Sequence, residues 1–91
     1  MLSEAEIDSA LATLTGWKRD GDAIVKTFRL PSFREAIAFV DRLAPACDAA
    51  DHHPDILIRY RRVTLTYATH SEGGITAKDI AGAREVDRLA S

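Results

Sequence analysis

The sequence predicts an α+β fold: a four-stranded antiparallel sheet with three helices packed on one face, in the order α-β-β-α-β-β-α. Three observations predict it. Apolar residues recur at helical spacing in three segments, alternate with polar ones in two pairs of segments between them, and Gly or Pro stands at several of the joints. Adjacent alternating segments close into hairpins, and a sheet that is apolar on one side buries that side under helices.

The first helix is predicted over 3–15. Ser3 and Glu6 have capping-box spacing, Ile7, Ala10, Leu11 and Leu14 follow at helical intervals, and Gly16 offers a stop. Trp17 to Asp20 and Ala23 to Leu30 flank a turn centred on Gly21. The pair reads as a hairpin with Ile24, Phe28 and Leu30 on one face, although Lys26 interrupts the alternation. Pro31 ends the strand, and Ser32 with Glu35 repeats the capping-box spacing. Phe33, Ala36, Ile37, Val40, Leu43, Ala44 and Cys47 then form one apolar stripe of a second helix. Pro45 falls inside that stripe; it lacks a backbone donor and crowds the preceding turn, so the helix ends or kinks there.

Ile56, Ile58 and Tyr60 alternate with Leu57 and Arg59, and Val63, Leu65 and Tyr67 alternate with Thr64, Thr66 and Ala68. These make a second hairpin turning near Arg61 and Arg62. Gly73 and Gly74 mark a loop. Thr76 and Asp79 suit the start of a third helix, whose apolar face is Ile80, Ala83 and Val86 and which runs through Leu89.

A length of 91 residues predicts one domain, 1–91, and 46% hydrophobic with 29% charged residues suits a chain that folds. The net charge of −2 supplies no field to draw nucleic acid, and the cluster Arg59, Arg61, Arg62 reads as a solvated strand end. The single cysteine, Cys47, has no partner for an internal disulfide and sits at the spacing of a packing residue, which fits the cytoplasm. No apolar run approaches the roughly 20 residues that span a bilayer, and the first residues lack the basic and apolar regions of a signal peptide, so no membrane role is expected. A small sheet leaves edges exposed. Twofold self-association covers them economically, so a homodimer is expected, with stacking into a tetramer left open.

The chemistry-bearing residues gather between 48 and 70. His52 and His53 precede Pro54, which disfavours helix at His53 and places the pair at an element boundary. Asp48 lies four residues before His52, so the two share a face and can hydrogen-bond if the second helix persists past Pro45. His70 closes the fourth strand on the side of Thr64, Thr66 and Ala68. Imidazoles exchange protons near neutral pH, which suits general acid/base work. Zinc is the competing reading, but adjacent histidines on an extended segment point in opposite directions, and there is no Cys pair or His-Glu-x-x-His helix; no metal is expected. Asp79 reads as a helix-terminal carboxylate, and Trp17 and Tyr60 as core residues. Spacing alone does not decide between catalytic and capping or surface histidines.

The run Asp48, His52-His53-Pro54, Tyr60, His70, Asp79, with its fixed spacings, resembles the signature of the pterin-4a-carbinolamine dehydratases, also called the dimerisation-cofactor family. Gly16-Trp17, the Phe28 to Phe39 region, and Thr69-His70 with Gly74, Ile75 and Thr76 extend the likeness over nearly the whole chain. The resemblance implies an α+β fold of the same element order. It also implies dehydration of 4a-hydroxytetrahydropterin to quinonoid dihydropterin, without metal or organic cofactor, in pterin recycling beside an aromatic amino-acid hydroxylase. By resemblance His52 and His70 form the acid/base pair, His53 binds and orients the pterin, and Asp48 orients or tunes His52. Asp51, Thr69 and Ser71, with the three histidines, match substrate contacts. Two positions depart from the family pattern: Asp48 stands where Glu is common, and Asp55-Ile56 where Trp is common. The resemblance also admits other roles, namely stabilising dimers of a homeodomain transcription factor or acting in molybdenum-cofactor metabolism.

Overall fold

The Ser3 hydroxyl accepts from the Glu6 amide, and the Glu6 carboxylate accepts from the Ser3 amide, so the expected capping box starts α1 (Glu4–Leu11). These bonds hold the Glu6 carboxyl below its ordinary value. The computed structural model describes residues 1–90. After α1 come β1 (Lys18–Asp20), β2 (Ala23–Arg29), α2 (Phe33–Ala50), β3 (Asp55–Arg59), β4 (Arg62–Tyr67), a 3-10 turn at His70–Glu72, and α3 (Ala77–Ala90). The sheet is antiparallel with strand order β1-β2-β4-β3, so the predicted class and element order hold.

Cross-strand pairing sorts the side chains. Ile24 faces Tyr67, Lys26 faces Leu65 and Phe28 faces Val63, which puts all six on the core side of the sheet. Ile24, Phe39, Leu43, Val63 and Leu65 are wholly or almost wholly buried between sheet and helices, each contributing about 1.5–3 kcal/mol by burial. Arg29, Arg62 and Arg59 form a cross-strand row on the opposite face, beside Thr27, Thr64 and Leu57.

Lys26 interrupts the alternation because it serves the core side as a cation. Its ammonium bonds Asp87 at 3.0 Å and the Thr15 carbonyl at 2.8 Å, and it lies over the Phe28 ring. Asp87 also accepts from the Trp17 indole N–H, so one carboxylate on α3 ties down β2 and the segment after α1.

Four expectations change. The first helix stops at Leu11, not 15: Thr13 and Leu14 bond carbonyls three residues back, which turns Leu14 into the core, and Gly16 follows at positive φ. Of the two outcomes expected at Pro45, an end is excluded: α2 runs on to Ala50, with the proline at an exposed position. The second hairpin turns at Tyr60-Arg61, with Tyr60 at positive φ and 71% exposed, so Tyr60 is not a core residue. Leu30 falls beyond β2, half-buried, its amide bonded to the Arg61 carbonyl.

Candidate active site

The end of α2 directs the first histidine inwards. The Asp51 amide bonds the Asp48 carbonyl and the His52 amide bonds the Cys47 carbonyl, the paired bonds of a Schellman motif, with Asp51 in the left-handed conformation (φ 50, ψ 42). This reversal lays the His52 ring on Tyr67, with centroids 5.5 Å apart and planes 21° from parallel. Only 13% of the His52 side chain remains exposed. Pro54, buried, then leads the chain into β3, and the adjacent His53 ring lies outward and 56% exposed.

The two neighbours therefore take different carboxylates. His53 Nε2 lies 2.8 Å from Asp48 Oδ1 at the surface. His52 Nε2 lies 2.6 Å from Oδ1 of Asp79, which is fully buried. The expected Asp48–His52 contact is thus replaced: the Schellman turn swings His52 off the face that Asp48 shares and brings His53 there instead.

Asp79 is the residue that sequence reasoning placed too modestly. It occupies the third position of α3, where its Oδ2 accepts from the Thr76 amide at 2.9 Å and from the Thr69 hydroxyl at 2.9 Å. The Thr69 and Thr76 hydroxyls are 2.7 Å apart, and Thr76 also caps α3 by accepting from the Lys78 amide. A carboxylate removed from water is retained where such donors surround it. The signal available in sequence was the set Thr69, Thr76 and Asp79 interleaved with the apolar Ile75 and Ile80: hydrogen-bonding side chains in an apolar neighbourhood.

His70 begins the 3-10 turn directly after Thr69. Its ring is exposed and hydrogen-bonds no described residue; Ser71 is exposed beside it, and Gly73 at φ 71 closes the turn. Thr69 and Gly74 bridge across the loop. His52 borders a cavity of about 420 Å³ between α2 and α3, shared with Cys47, Tyr67 and Lys78. His70 and Thr69 border a second one of about 290 Å³ with Asp22, Ala23 and Ala68. The Asp79–Thr69 bond lies between these two histidine environments. Burial pushes the Tyr67 phenol well above its ordinary value, helped by its contact with Cys47 and by the Asp79 charge. Among the described residues no three of His, Cys, Asp and Glu converge as a metal-holding group, and no helix is long and apolar enough to cross a membrane.

Comparison with known proteins places this sheet and histidine set in a family. Residues 1–89 match the model of the family described as pterin 4 alpha carbinolamine dehydratase. A protein of Roseiflexus castenholzii assigned as a pterin-4-alpha-carbinolamine dehydratase is 53% identical over 89 residues, 98% of this chain and 96% of its own. The crystal structure of a transcriptional coactivator/pterin dehydratase from Brucella melitensis superposes with a TM-score of 0.95 at 38% identity, covering 99% of this chain and 98% of its own. A pterin dehydratase-like protein described as a RuBisCO assembly factor of the alpha-carboxysome is more distant, with a TM-score of 0.67 at 26% identity over 82% of this chain and 87% of its own. The chain belongs to the pterin 4 alpha carbinolamine dehydratase family.

Proposed function

We propose that the chain dehydrates 4a-hydroxytetrahydropterin to quinonoid dihydropterin, with His52 and His70 as its acid/base pair. The C4a–O bond breaks as one imidazolium protonates the departing hydroxyl to water. The other imidazole takes the N5 proton, and the N5–H electron pair becomes the C4a=N5 bond. The observation that carries the reading is the contrast between the histidines: His52 is clamped on a buried carboxylate, while His70 and His53 present exposed rings on neighbouring loops. His53, held by Asp48, orients the pterin, and Asp51, Thr69 and Ser71 contribute backbone or short side-chain bonds to its ring. The product is then available for reduction in the recycling of a hydroxylase cofactor.

A homodimer accompanies this reading. β3 is an edge strand whose Ile56 and Leu57 are 43% and 54% exposed, the kind of edge that pairing with a second copy covers. The experiment is spectroscopic: freshly generated 4a-carbinolamine is followed with and without protein. Acceleration proportional to protein concentration supports the reading, and decay at the spontaneous rate excludes it.

A further inference from the structure

The buried bonds around Asp79 fix the direction of each proton. Thr69 has one hydroxyl hydrogen, and it goes to Asp79 Oδ2. The 2.7 Å contact between the two threonine hydroxyls is therefore donated by Thr76. Asp79 accepts from Thr69, from the Thr76 amide and, through Oδ1, from His52 Nε2. A carboxylate has no hydrogen to give, so the His52 proton sits on Nε2 and the lone pair of the neutral ring on Nδ1.

Nδ1 is also the open atom. Among the described residues the His52 ring bonds only Asp79, and no buried side-chain nitrogen or oxygen lacks a partner, so Nδ1 reaches solvent. We propose that Asp79 is a positioning residue that locks His52 as the Nε2–H tautomer, so that His52 exchanges protons with the substrate through Nδ1. The same carboxylate holds Thr69, the residue before His70, and so ties the two acid/base histidines to one buried anchor. This inference rests on the dehydratase reading for the identity of the substrate, but its geometry does not depend on that reading.

The test is the ¹⁵N spectrum of histidine-labelled protein, taken where the His52 ring is neutral, together with Asp79→Asn. In this variant the new carboxamide oxygen takes the Thr69 and Thr76 donors, and its NH₂ group then points at His52 Nε2 and favours the opposite tautomer. The wild type should show a protonated Nε2 and a bare Nδ1. D79N should invert the two signals, keep its far-UV circular dichroism, and lower kcat about a hundredfold to ten-thousandfold with KM changed by only a few-fold. A protonated Nδ1 in the wild type, or wild-type kcat in D79N, overturns the proposal. The wild-type spectrum decides even if D79N does not fold. A protein with the Nε2–H signal and no carbinolamine turnover would instead overturn the dehydratase reading and leave the tautomer standing.

Discussion

Gly82→Ala sets two effects of opposite sign against each other. In an exposed helix the change stabilises, because glycine is about 1 kcal/mol worse than alanine. Here a Cβ on residue 82 would stand 2.7 and 2.8 Å from ring carbons of Tyr67 and 3.0 Å from its hydroxyl. The ring borders the cavity between α2 and α3, but retreating would disturb three contacts: His52 is stacked against it, the Trp17 ring centroid lies 6.2 Å away, and the hydroxyl is 3.8 Å from Cys47 Sγ. Overpacking a filled core costs about 1–3 kcal/mol, and a rigid aromatic neighbour argues for the upper half of that range. The net expectation is a loss of about 1–2 kcal/mol. For a chain of this size that lowers Tm by about 5–15 °C in a circular dichroism melt. Turnover measured well below Tm should also fall, since Tyr67 is the surface on which His52 rests. An unchanged or raised Tm would refute the packing argument.

Other perturbations separate local roles. Asp51→Gly relieves a left-handed non-glycine residue and should leave stability equal or raised by about 0.5–1 kcal/mol, whereas Asp51→Val should destabilise; urea unfolding of both variants checks this. Asp48→Ala removes a pair whose side chains are 77% and 56% exposed, so stability should change by less than about 1 kcal/mol while KM for the pterin rises more than kcat falls; a kcat collapse would contradict an orienting role. Tyr67 holds its proton beyond its ordinary pKa of 10.0. Above that pH the unfolded chain releases a proton that the folded chain keeps, so this contribution is intact below pH 10 and declines as pH rises. Phenolate absorbance of a Tyr60→Phe variant, which isolates Tyr67, should therefore rise only well above the ordinary tyrosine range.

Sequence periodicity made the element order legible because each face is largely one-sided: Val63, Leu65 and Tyr67 are buried in strict alternation, and Ala36, Leu43 and Cys47 of the predicted stripe are buried along α2, whereas its Phe33, Ile37 and Ala44 are exposed and Phe39, outside it, is buried. Pro45 does not set the end of α2, which runs past it and stops at the left-handed Asp51. The histidines were legible as a group, but their partners were not. Spacing of four residues paired Asp48 with His52 on an uninterrupted helix, whereas the left-handed Asp51 shifts the contact to His53. Asp79 was read from its helix position alone; its second role depends on α3 packing beside the end of α2, a long-range contact that no local pattern encodes. Lys26 looked like a flaw in a strand for the same reason, its counter-ion Asp87 being 61 residues away.

The central claim is that His52 and His70 act as one acid/base pair on a pterin carbinolamine. It is tested most directly by carbinolamine decay rates for His52→Ala, His70→Ala and the double variant. Each single change should remove about a hundredfold to ten-thousandfold of the acceleration, and the double variant should be little worse than the more damaged single one, as for groups that work as a unit. Near wild-type rates in both single variants would contradict it.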